Sequence, residues 1–175
     1  MNTKTLVSLS LLVGIGAALH LIIPGFILGM KPDLMLVMMF LGIFLFTEKK
    51  NVLLLGVLTG ILSGITSTFP GGLIPNIIDK FATAFLVYML FAAIKKNQSI
   101  FAVSALTGIG TLISGAIFLG SALLISGLPG SAGFMGLFAA VVLPAAVFNI
   151  AAMALIHPVV TKILRRSNLQ PAIKN

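Results

Sequence analysis

Long apolar stretches separated by short clusters of charge, proline and glycine account for almost the whole chain. The interruptions delimit runs near 5–23, 25–47, 51–69, 74–94, 100–125 and 136–162. A helix needs about 20 predominantly apolar residues to cross a bilayer. The pattern therefore predicts an all-α fold, a polytopic integral membrane bundle of six transmembrane helices. It forms a single transmembrane domain over 1–175 that ends in a short basic tail at 163–175. Lys4 before the first apolar run resembles the start of a leader peptide, but that run is long and further spans follow, so it reads as an uncleaved first span.

Charge orients the segments. With the first residue in the cytoplasm, Lys4, Lys49, Lys50, Lys95, Lys96, Lys162, Arg165, Arg166 and Lys174 all fall on the inner side, and only Lys31 and Lys80 fall on the other. Such asymmetry is what the positive-inside rule asks for. It predicts a multi-pass protein of the cell membrane with both termini cytoplasmic (N-in/C-in).

The two exceptions are where chemistry is expected. Lys31 stands beside Asp33 and Lys80 beside Asp79, and apart from Glu48 these are all the acids in the chain. Asp33 and Lys80 each lie fifteen residues from the inner boundary markers Glu48 and Lys95, roughly 22 Å along a helix. In a hydrocarbon core about 30 Å thick, both pairs come to one level below the outer surface. In the fourth segment Asn76, Asp79, Lys80 and Thr83 share one helical face. That face must turn to a partner or a wet cavity, because ionisable groups facing lipid are costly. One outcome is a salt bridge that only fixes the packing of segments 2 and 4. The other is a pocket open to the outside, whose two cations and two anions suit a ligand carrying both signs, such as the ammonium and carboxylate of an amino acid.

Breaks at Pro24-Gly25, Lys31-Pro32 and Phe69-Pro70-Gly71-Gly72 precede segments 2 and 4. They are either ordinary turns or irregular backbone framing that pocket. Phe26, Met30, Met35, Met38, Met39, Phe40, Phe69 and Phe81 lie nearby and are candidates for contact with a flat apolar ligand. His20, near the outer end of segment 1, is within reach of the same place. Asn149 and His157 share a face of segment 6, where His157 reads as structural.

Gly56, Gly60 and Gly64 form a small-residue ridge on segment 3, read as internal packing. Ser10, Gly14 and Ala18 form another on segment 1, which can equally face another subunit. Thr59, Ser63 and Thr66 are candidates for bonds between helices.

With apolar residues at 59% and charged residues at 8%, against about 45–50% and about 25% in soluble domains, no soluble catalytic domain is accommodated. The cations flank spans rather than forming a basic face, which argues against nucleic acid. There is no cysteine, and no HExxH metal motif, Ser-His arrangement or paired acids of a hydrolase stand at matching depth. An enzyme, a metal site and a cofactor are therefore not expected. The absence of a GxxxxGK[ST] loop means that uphill transport would draw on a partner or an ion gradient.

The stretches Gly29-Met30-Lys31-Pro32-Asp33-Leu34-Met35-Leu36-Val37-Met38-Met39-Phe40 and Phe69-Pro70-Gly71-Gly72-Leu73-Ile74-Pro75-Asn76-Ile77-Ile78-Asp79-Lys80 closely resemble the bacterial tryptophan transport protein family. That family is grouped with vitamin-uptake transporters, the substrate-binding S components of energy-coupling-factor systems. The resemblance implies an S-component-like bundle with an outward-facing site for tryptophan or a similar aromatic amino acid; the residues singled out above, Lys31, Asp33, Asn76, Asp79, Lys80, His20 and Phe69, are the candidates to contact that substrate or organise its site. It also implies as partners a transmembrane coupling subunit and two ATPases, with Ser10, Gly14 and Ala18 matching the small-residue motif that meets the coupling subunit. Two other readings compete: a solitary ion- or proton-coupled carrier, and a non-transport membrane assembly subunit whose charges only lock helices together.

Overall fold

The computed structural model describes residues 2–24, 33–94, 96–129 and 133–167, and among these every regular element is a helix. In chain order they are α1 (Thr3–Ile22), α2 (Leu34–Leu45), α3 (Lys49–Ile65), α4 (Leu73–Ala93), α5 (Ile100–Ile125) and α6 (Gly133–Arg166). Local chemistry sets several of the boundaries. Asn2, Asp33 and Ser99 each accept a backbone N–H of the helix they precede, satisfying donors that no helical carbonyl reaches. At the far end of α2, Gln98 Nε2 donates to Phe44 O at 2.9 Å.

Four helices, α1, α4, α5 and α6, are long and apolar enough to cross a bilayer. The second differs from the expected run. Among the described residues of that run, α2 holds twelve, a rise of about 18 Å. It begins where Asp33 caps it, right after Pro32, and it stops at Phe46.

Every residue of α2 is buried. A helix apolar on all sides belongs in the middle of a bundle, and α2 touches all five of the others. Around it α1 packs on α3, α3 on α4, α4 on α5, and α5 on α6. Phe40, Phe44 and Phe91 form a tilted aromatic column inside, with the Phe44 and Phe91 rings 4.8 Å apart. The outer surface carries the exposed Leu21, Ile22, Met89, Phe101, Leu124, Met135 and Leu155. His20, Asp79, Lys80, Thr83, Thr111, Ser114 and Asn149 are buried inside. Apolar outside and polar within is the arrangement of a protein whose solvent is lipid.

The α3 ridge lies against α4. Built-on Cβ atoms would come within 3.1 Å of Ala84 Cβ at Gly56, 3.0 Å of Ile77 Cα at Gly60 and 2.8 Å of Leu73 O at Gly64. Only hydrogen fits there, so α3 and α4 meet backbone to backbone. The α1 ridge of Ser10, Gly14 and Ala18 is exposed.

In α6 the segment Phe138–Val142 is π-helical. Leu143 N–H bonds to Phe138 O, five residues back, and Pro144 follows with no N–H of its own. A missing donor at Pro144 deprives the preceding turn of its usual bond, and the wider turn accommodates the loss.

Candidate functional site

The inward face of α4 meets α2 and α5 through charge. Lys80 Nζ lies 2.7 Å from Asp79 Oδ2 and 2.7 Å from Asp33 Oδ2. Asp33 Oδ1 also accepts Leu36 N–H at 3.0 Å, so a single carboxylate caps α2 and holds α4. Asp79 is fully buried and accepts from Thr83 Oγ1 and Ser114 Oγ, both at 2.8 Å. All four carboxylate oxygens thus have a donor. That is the condition under which buried charges become tolerable, since the desolvation of each ion costs several kcal/mol.

His20 reaches the cluster from α1. Its Nδ1 is 2.7 Å from Thr66 Oγ1, whose own hydroxyl donates to Leu62 O at 2.7 Å. With the threonine proton engaged there, Nδ1 carries the hydrogen and donates. Nε2 then faces Asp33 Oδ1 at 3.9 Å.

These groups line one partly open cavity. Its polar lining comes from His20, Asp33, Asn76, Asp79 and Lys80, with Ser67 and Thr68 from the turn between α3 and α4. An apolar wall is built by Phe69 of that turn, Gly115 and Phe118 of α5, and Val141, Val142 and Ala145 of α6. The π segment makes this wall. It brings the consecutive Val141 and Val142 onto the cavity, and a Cβ at Gly115 would clash with Val142 Cγ1. The rings of Phe69 and Phe118 meet edge to face, with centroids 5.1 Å apart. Farther along α5 and α6 the lining turns polar again, at Thr111 and Asn149.

His20, Asp33, Phe69, Asn76, Asp79 and Lys80, named from sequence, all stand around this one cavity. Lys31 lies outside the described residues, as do Phe26 and Met30. Met35, Met38, Met39 and Phe40 are not on the cavity. They pack in the core, because α2 is enclosed on every side and offers only Asp33 and Leu36 to the space. Phe81 points out of the bundle against Phe85 and is also not a lining residue. His157 is buried in the lower part of α6, away from the cavity, and its Nε2 has no partner among the described residues. Thr59 Oγ1 donates to Leu55 O within α3 and lies 2.9 Å from Met39 Sδ of α2.

The contributions of α5 were missed. Thr107, Thr111 and Ser114 recur at helical spacing within an apolar segment and are all buried, a stripe that marks an inward face. Phe118 continues it by one turn.

A membrane bundle that is apolar outside and folds paired charges around an internal cavity has the build of a membrane transporter. The profile of the family described as "Tryptophan transporter TrpP" matches residues 2–165. The chain is 57% identical over 174 residues to a probable tryptophan transport protein of Bacillus subtilis, covering 99% of this chain and 100% of the relative. It is 42% identical to one of Clostridium acetobutylicum over 94% of this chain and 96% of the relative, and 38% identical to one of Clostridium perfringens over 96% and 97%. The chain therefore belongs to the tryptophan transporter family. No solved structure matches it.

Proposed function

We propose that this protein takes up tryptophan, which it binds in the cavity between α1, α2, α4, α5 and α6. The observation that carries the reading is the division of that cavity into a charged side and an apolar side. Asp33, Asp79 and Lys80 suit the charged end of an amino acid. Phe69, Phe118 and the valines of α6 suit an aromatic ring. Family membership and the names of the relatives support tryptophan as the ring-bearing substrate.

In this reading both termini are cytoplasmic and the cavity faces outward. The concentration of Lys and Arg at the other end of the bundle supports that orientation. Lys31, two residues before Asp33 in the sequence, is proposed as a further group for the substrate. The protein acts as a substrate-binding membrane component rather than an enzyme. The exposed ridge of Ser10, Gly14 and Ala18 supports a helical partner, a coupling subunit that works with two ATPases. The competing carrier, driven by ions or protons, would need no such partner.

Binding of radiolabelled tryptophan to the purified protein tests the site. We expect saturable binding that Asp79→Ala abolishes; binding unchanged in Asp79→Ala and Asp33→Ala would overturn the assignment. Uptake in a host lacking any coupling module, collapsed by an uncoupler, would favour the solitary carrier.

A further inference from the structure

We propose that Asn149 is the specificity residue of the site, its side-chain oxygen accepting the indole N–H of the substrate. The inference rests on the tryptophan reading above and goes further, by naming the atom that separates an indole from other aromatic rings.

The chain itself dictates which way the Asn149 amide points. Thr111 Oγ1 donates its one hydrogen to Thr107 O at 2.8 Å. Toward Asn149 it can only accept, and Asn149 Nδ2 donates to it at 3.1 Å. The amide oxygen is therefore turned away from Thr111. Asn149 is fully buried, lines the cavity, and its Oδ1 has no hydrogen-bond partner among the described residues. Buried acceptors are rarely left in that condition, because the lost hydration is not replaced.

Only a donor can satisfy Oδ1. A carboxylate would be repelled, and a phenyl ring or a thioether brings no proton. The indole nitrogen is a donor with no acceptor capacity. Position agrees with chemistry. Ser114, which holds Asp79, stands about one helical turn along α5 from Thr111, which holds Asn149. A ligand with its ammonium among the carboxylates can lay its ring along Val142 and Ala145 and bring the ring nitrogen to Asn149. Ala145 lies one turn before Asn149 on the same face, and both line the cavity.

The test compares tryptophan with benzothienylalanine, which has the same ring shape with sulfur in place of N–H, by equilibrium binding to the purified full-length protein. The wild type should prefer tryptophan by at least about tenfold, the value of one well-placed buried hydrogen bond. Asn149→Leu should lower tryptophan affinity to the level of the analogue while leaving the analogue unchanged. Equal binding of the two ligands by the wild type overturns the proposal, and that comparison stands even where the leucine variant does not fold. Equal loss of both ligands in a folded Asn149→Leu protein also overturns it. A wild type that binds neither ligand overturns the tryptophan reading itself, a distinct outcome.

Discussion

Lys80 on α4 holds Asp33, the residue that caps α2, with 2.7 Å between Nζ and Oδ2. The contact ties the start of the buried central helix to the face that lines the cavity. With the ligand site proposed above, stability and binding would be coupled at one ammonium group, which Asp79 shares at the same distance.

Replacing Lys80 with Met leaves two carboxylates facing each other in a buried site. Removal of one partner from a buried ion pair costs about 3–5 kcal/mol. Thermal unfolding of the purified Lys80→Met protein should show a clearly lowered midpoint together with loss of tryptophan binding. A stable variant that has lost only binding would mean that Lys80 serves the ligand and not the fold.

Ser114→Ala removes one of three donors to Asp79, with Thr83 and Lys80 remaining. A hydrogen bond to a charged group contributes about 1.5–3 kcal/mol. The variant should fold, unfold at a lower temperature than the wild type, and be less damaged than Lys80→Met. Reversal of that order would contradict the arrangement around Asp79.

The two small-residue ridges should respond oppositely to a single methyl group. At Gly64 an added Cβ would meet backbone atoms of Leu73, which cannot rotate away. Overpacking of this kind costs about 1–3 kcal/mol, so Gly64→Ala should destabilise the bundle. At Gly14 nothing lies within 4 Å of the added carbon, and the change should be neutral or stabilising by up to about 1 kcal/mol, because alanine favours the helix. Thermal midpoints of the two variants, measured in one detergent, decide the matter. Loss of uptake in a stable Gly14→Leu protein would point to a partner helix on that face.

Phe118→Ala removes one ring of the edge-to-face pair beside the apolar wall. Such pairs contribute about 0.5–1.5 kcal/mol beyond the area they bury. Tryptophan affinity should fall roughly three- to tenfold while the melting temperature changes little, as calorimetry on the same sample would record. Unchanged affinity would move the ring of the ligand elsewhere.

The face of α4 was legible because four polar side chains at helical spacing in a lipid-bound segment have only one direction to turn. Its partners were less so. Asp33 and Lys80 were placed at one level by counting residues, but that they bond to each other depends on how α2 and α4 pack, which spacing alone does not encode. Thr111 and Ser114 were passed over because hydroxyls are unremarkable in membrane helices, where they bond to their own backbone, as Thr111 does to Thr107 O. Ser114 instead spends its proton on Asp79. The methionines of α2 misled for a related reason: an apolar residue reads the same toward lipid, ligand or core, and only the enclosure of that helix decides between them.

That enclosure also bears on how the molecule is made. At about 18 Å, α2 is too short to hold its own place across a bilayer; α1, which precedes it, supplies its most extensive contact, but α3, α4, α5 and α6, which complete the enclosure, leave the ribosome after it. During synthesis the acidic cap of α2 must wait for Lys80. The second helix in sequence is therefore among the last to be fully enclosed, and a nascent chain stopped before α4 should remain a substrate for the membrane's quality control.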